Sequence, residues 1–209
     1  MDIIEEKCLV MNAKKDVQAF STLYDANYKK ILNYAISRIG DVEIAQDITS
    51  EVFIKAMKNL WKYKWMSIKF SSWLYKIANN CIIQHYREKA KTMPVSLDVM
   101  IEEQGYMPCD PHDAQKEIIK KQDELDKNII FNRLNDIILE LPIIYQEVIA
   151  LKYFQDKKIS EISEILGKKE GTIKSLLSRG RKIIEEKLKF EKKNKTQPFQ
   201  TLSIINNIK

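Results

Sequence analysis

A chain of 209 residues has room for one large or two small domains. Hydrophobic residues make up 44% and charged residues 31%, enough apolar material for a core, with no apolar run near ~18 residues to cross a membrane. The net charge of +6 asks for an anionic partner, nucleic acid or a membrane surface.

Only five glycines and five prolines occur, which favours long helices. Val17, Phe20, Leu23, Tyr24, Ile31 and Ala35 recur at helical steps, on one helix or a broken pair. Gly40-Asp41 reads as a stop and restart, with Asp41 as N-cap. Ile44, Ala45, Ile48, Val52 and Ala56 form the next stripe. A third helix starts near Ser71 or Ser72 and carries Trp73, Leu74, Ile77, Ala78, Cys81 and Ile82. Residues 92–113 hold Pro94, Gly105, Pro108 and Pro111 and few apolar anchors, a length that marks a linker between domains. Helical spacing returns over 114–140, and Pro142 suits the first turn of a helix over 143–154. Helices over 159–166 and 171–189 follow, then a Lys/Asn-rich tail from 190.

Charge is distributed in blocks. Residues 60–91 hold seven Lys/Arg against one acid, and 141–195 hold fourteen against eight, while 98–126 hold nine acids against three lysines. Cys8, Cys81 and Cys109 are odd in number and widely spaced, which argues against a disulfide framework or a zinc site. Met1 to Glu6 do not read as a signal peptide, so a cytoplasmic protein is expected. No cofactor or metal is expected, and with only His85 and His112 and no acid cluster at metal-ligand spacing, an enzyme is not expected either.

Ile159 to Leu166 is a short amphipathic stretch closed by Gly167, a residue suited to the left-handed turn after a helix. A second helix follows, with Ile173, Leu176, Leu177 and Ile183/Ile184 as its buried positions. Helix, tight turn, helix is the helix-turn-helix layout, whose second helix fits the major groove. Thr172, Lys174, Ser175, Ser178, Arg179, Arg181 and Lys182 lie on or near its polar side, as phosphate and base contacts. Upstream, Trp61-Lys62-Tyr63-Lys64-Trp65-Met66-Ser67-Ile68-Lys69-Phe70 interleaves four aromatics with three lysines. That composition suits single-stranded nucleic acid: lysines meet phosphates and rings stack on unpaired bases.

The run Asp41-Val42-Glu43-Ile44-Ala45-Gln46-Asp47-Ile48-Thr49-Ser50-Glu51-Val52-Phe53-Ile54-Lys55-Ala56 resembles region two of bacterial sigma factors, the extracytoplasmic-function (ECF) group in particular. Phe70 to Asn80, with Arg87 beyond, resembles the rest of that region. Leu141-Pro142 through Leu151, with the helix-turn-helix, is similar to region four. The resemblance implies an all-α protein of two small helical domains joined by a flexible linker, the C-terminal one a helix-turn-helix. Its division would be 1–91 for region two, 92–127 for the linker, 128–189 for region four and 190–209 for a tail.

The resemblance also implies roles. Core RNA polymerase would dock on Asp47, Glu51, Phe53 and Lys55. The −10 element would be read and melted by Tyr63, Lys64, Trp65, Lys69, Asn79, Asn80, Gln84 and Arg87, with Tyr63 and Trp65 exposed and Trp73 in the core. The helix-turn-helix residues named above would read the −35 element. The implied partners are core polymerase, promoter DNA and an anti-sigma factor, with no membrane insertion and no obligate homo-oligomer. Two departures stand out: a Trp/Met/Ile-rich loop where relatives carry small polar residues, and Gly180 inside the last helix at ~1 kcal/mol relative to Ala. A dimeric helix-turn-helix regulator is the alternative, but it leaves the first half unexplained.

Overall fold

The computed structural model describes residues 3–63, 69–91 and 134–194, and every element among them is helical. The linker, the tail and the centre of the aromatic-lysine loop fall outside the described residues. The N-terminal half contains α1 (Ile3–Ala13), α2 (Val17–Ile39), α3 (Val42–Asn59), a 3₁₀ turn (Leu60–Lys62) and α4 (Phe70–Lys91). The C-terminal half contains a helical stretch over 134–139, α5 (Ile143–Ile149) running into a π-helical turn (Ala150–Phe154), α6 (Ile159–Leu166) and α7 (Glu170–Asn194).

Local chemistry explains the joints. Asp16 Oδ1 accepts from the Gln18 N–H at 2.9 Å and opens α2, which runs unbroken for 23 residues. Gly40 ends it at φ +77°, with its N–H on the Ile36 carbonyl. Asp41 then caps α3, its Oδ1 accepting from the Ile44 N–H at 3.0 Å. Two residues thus turn the chain through a helical hairpin. The α3 stripe Ala45, Ile48, Val52 and Ala56 is buried as its spacing predicts, and so are Leu74, Ala78, Cys81 and Ile82 on α4. Helix α4 begins at Phe70, one residue ahead of the serines.

In the second half Pro142 is the residue that caps α5, at φ −52° and ψ 140°, one step outside the first turn. The predicted helix over 143–154 becomes α5 followed by the π-helical turn, after which the chain turns at Asp156, whose φ is +46°. Gly167 closes α6 at φ +65°. Gly180 sits where α7 crosses α5. A Cβ there would lie 2.8 Å from Ile149 Cδ1 and 3.3 Å from Tyr145 Cβ, so the missing side chain is what lets the two helices approach.

The two halves pack on one another. The π-helical turn lies on α2, and α6 lies on α4.

Candidate nucleic-acid interface

Helix α3 presents a continuous outer face. Asp47 and Glu51 are exposed on it, one turn apart, as their helical positions require. Lys55 Nζ is 2.6 Å from Glu51 Oε1, and this hydrogen bond to Glu51 holds the Lys55 ammonium above its ordinary range. The same amine lies 3.5 Å from Cys81 Sγ, so Lys55 leans toward α4 as well. Phe53 differs from expectation. It is buried, its ring 4.6 Å from that of Tyr24 and 6.2 Å from that of Tyr28, because its position on the helix turns it toward α2. The exposed apolar residues on this face are Ile54 and Met57. They stand one step away from the buried stripe, a placement that helical spacing alone shows.

Between α3 and α4 lies a cleft of about 480 Å³. Lys55 and Lys62 bring amines to it, Asn59 and Asn80 amides, Tyr63 and Trp73 rings, with Ile77 and Cys81 beside them. At its mouth Tyr63 departs from the exposed role expected of it. Tyr63 is only 5% exposed, packed edge-on against Phe70 at 5.8 Å and against Trp73 at 4.9 Å, and burial pushes its hydroxyl well above the ordinary range. Trp61, two residues earlier, is 70% exposed, with Lys62 Nζ 4.9 Å from its ring centroid. The 3₁₀ turn at Leu60–Lys62 explains the placement: Leu60 turns inward, Trp61 outward, and Tyr63 returns to the core. Trp73 is partly buried in the same aromatic group. Lys64 and Trp65 lie outside the described residues.

Along α4, Asn80, Gln84 and Arg87 are exposed at i, i+4 and i+7, and Lys76 extends the row by one turn. Gln84 donates to Glu88 at 2.6 Å. His85 packs beside Tyr86, and burial lowers its pKa, which fits a neutral structural imidazole. Asn79 lies on the other side of the helix. It is 6% exposed, accepts from Arg38 Nη1 at 3.0 Å and donates to Glu147 Oε2 at 3.3 Å. Its side chain is therefore in the interior and not in the exposed row with Asn80. Lys69 is exposed and 3.7 Å from Glu161 on α6.

On α7, Ile173, Leu176 and Leu177 are buried, while Thr172, Lys174, Ser175, Ser178, Arg179 and Lys182 are exposed and Arg181 is half-buried. The first helix of the pair, α6, is held by Glu161, which accepts from the Lys158 N–H at 2.9 Å. After Gly167, the Lys168 N–H bonds the Ser163 carbonyl. These bonds set the short turn that carries α7 across α6.

Residues 23–92 match the family model for sigma-70 region 2, and residues 131–184 that for sigma-70 region 4. The ECF RNA polymerase sigma factor SigW of Bacillus subtilis (strain 168) is 30% identical over 199 residues, covering 90% of this chain and 99% of that protein. The chain belongs to the ECF RNA polymerase sigma factors. It binds core RNA polymerase and directs promoter-specific transcription initiation through DNA, as a member of a family whose proteins are not enzymes. The dimeric-regulator alternative is not favoured, since region 2 accounts for the half that it leaves over. The RNA polymerase sigma factor YlaC of Bacillus subtilis (strain 168) is 28% identical, covering 80% of the sigma factor described here and 90% of that protein. Two solved structures share the fold. One is CnrH in complex with the cytosolic domain of CnrY, at TM-score 0.63 and 16% identity, covering 88% of this chain and 97% of that one. The other is the sigma factor RpoE in complex with the anti-sigma factor NepR from Bartonella quintana, at TM-score 0.57 and 22% identity, covering 81% and 96%. No helix among the described residues is long and apolar enough to cross a membrane.

Proposed function

We propose that the three surfaces divide the work of initiation. The α3 face docks on core polymerase through Asp47, Glu51 and Lys55, with Ile54 and Met57 supplying its apolar contact. The α4 row Asn80, Gln84 and Arg87, leading out of the cleft, holds the unpaired −10 strand, with Lys69 at its start and Lys64 and Trp65 in the adjoining loop. The cleft receives one unstacked base between amides and rings, and Trp61 offers an outer stacking surface. Capturing a base in this way offsets the cost of opening the duplex without a nucleotide cofactor. On α7, Thr172, Lys174, Ser175, Ser178, Arg179, Arg181 and Lys182 engage the −35 duplex. Region two spans 1–91, a linker 92–127, region four 128–189 and a tail 190–209. The protein works in the cytoplasm, has no catalytic centre of its own, and is held by an anti-sigma factor, a reading supported by the sigma factor RpoE, whose structure contains one.

The observation that carries this reading is the exposed row Asn80, Gln84 and Arg87 on α4 beside a basic, aromatic cleft. The test uses sigma-free core polymerase, run-off transcription on genomic promoter templates and permanganate detection of unpaired thymines. Arg87→Ala should reduce open complexes by about tenfold, from ~1–2 kcal/mol of lost strand contact, and leave duplex −35 binding unchanged. Lys174→Ala should weaken −35 binding and lower its salt slope by about 1. Equal loss of both activities in either variant refutes the division.

A further inference from the structure

Helix α1 lies ahead of the residues that match region 2, which begin at Leu23, yet it is built into that half. Glu6, Leu9, Val10 and Ala13 share one face of it at helical spacing, and Val10 is 2% exposed in the same core cluster as Tyr63. The turn after α1 is fixed on both sides. The Lys15 and Asp16 N–H groups donate to the Asn12 carbonyl at 2.9 Å each, and Asp16 opens α2. From this turn Lys14 Nζ donates to the Tyr63 carbonyl at 2.8 Å, across 49 residues of sequence.

Tyr63 is where the 3₁₀ turn ends, at φ −64° and ψ 118°. Its N–H donates to the Leu60 carbonyl at 3.1 Å, and its ring packs on Phe70 and Trp73. Those contacts come from the elements that flank the cleft. The Lys14 bond ties the same residue to α1 instead. Holding the carbonyl fixes the plane of the peptide after Tyr63, and so the course of the backbone at the cleft wall. Lys14 itself is exposed. Water competes there for the ammonium and the carbonyl alike, so the bond adds little to folding. What it sets is position.

We infer that Lys14 is a positioning residue for promoter opening: from α1 it holds the Tyr63 carbonyl, and through it the part of the cleft wall formed by Lys62, Tyr63 and Trp73. The inference rests on the reading of that cleft as the site of the unstacked −10 base. Base capture needs the rings and amides in place before the strand arrives, and a wall free to shift by about 1 Å loses much of that advantage.

The test uses holoenzyme reconstituted from the full-length chain and core polymerase, with permanganate detection of unpaired thymines on a genomic promoter template. Lys14→Met keeps the stem and removes the donor, and should lower open complexes about fivefold. Affinity for core and for −35 duplex, and the urea midpoint, should match wild type. Lys14→Arg restores a donor of similar reach and should return opening to within about twofold of wild type. Lys15→Met loses the same charge one residue on and should open promoters like wild type. Equal losses in Lys14→Met and Lys15→Met would make the effect one of net charge and overturn the inference. So would a Lys14→Met chain that opens promoters normally, one whose opening falls only in step with its stability or core affinity, or a Lys14→Arg chain no better than Lys14→Met. Arg87→Ala is measured in parallel. If it alone lowers opening, Lys14 does not position the cleft. If it leaves opening intact, the reading of the cleft fails first, and the positioning role falls with it.

Discussion

Gly180→Ala would ordinarily stabilise a helix interior by about 1 kcal/mol. Here it should do the opposite. The added Cβ would meet Ile149 Cδ1 at 2.8 Å and Tyr145 Cβ at 3.3 Å. The first atom is the end of a side chain and can move. The second is fixed to the α5 backbone. Overpacking of this kind costs about 1–3 kcal/mol, so the net expected loss is about 1 kcal/mol. Ile149→Val deletes the Cδ1 atom and by itself costs about 1 kcal/mol. In the double variant the gap left by Cδ1 accommodates the new methyl, and the helix preference offsets the lost burial. The double variant should then unfold near the wild-type urea midpoint, a coupling of roughly 2 kcal/mol between two residues in contact. Additive losses, or a Gly180→Ala chain more stable than wild type, would refute the close-approach explanation. The same crossing orients α7, so Gly180→Ala should also weaken −35 duplex binding more than its stability loss alone explains.

Further expectations concern burial and pH. Tyr63→Ala removes a ring packed on Phe70 and Trp73 and should lower stability by about 3 kcal/mol, whereas Trp61→Ala should change the unfolding midpoint little and impair promoter opening. A destabilised Trp61 variant beside an intact Tyr63 variant would reverse the assignment. Asp41→Ala removes the cap of α3 and should cost about 1 kcal/mol by chemical denaturation. Burial raises the Glu147 carboxyl above its ordinary value, against the lowering effect of Arg38, Lys168 and the Asn79 amide. A raised folded-state pKa means that the folded chain favours protonated Glu147. That contribution is complete below the ordinary carboxylate range and is lost as pH rises through the elevated value. The thermal midpoint of wild type relative to Glu147→Gln should fall across that interval, and parallel pH profiles would refute it.

Much of the fold is readable from residue spacing. The stops and starts at Gly40-Asp41 and Gly167 rest on one or two residues acting on the local backbone, and the buried stripes of α3 and α4 on apolar residues at helical spacing. The order of the two DNA-reading modules is equally a property of the chain. The burial of Tyr63 and exposure of Trp61 are not, because they depend on a three-residue 3₁₀ turn that shifts the phase set by α3. Phe53 lies at the edge of a stripe, where helical position allows either face, and the neighbouring rings of Tyr24 and Tyr28 decide it. Asn79 and Asn80 are adjacent and chemically identical, yet one is locked between Arg38 and Glu147 and the other opens on the cleft. Hydrogen-bond partners 41 and 68 residues away make that difference, and only packing brings them within reach. Local order follows from short-range sterics and capping. Which polar side chain is buried follows from contacts between distant segments, which the folded structure alone supplies.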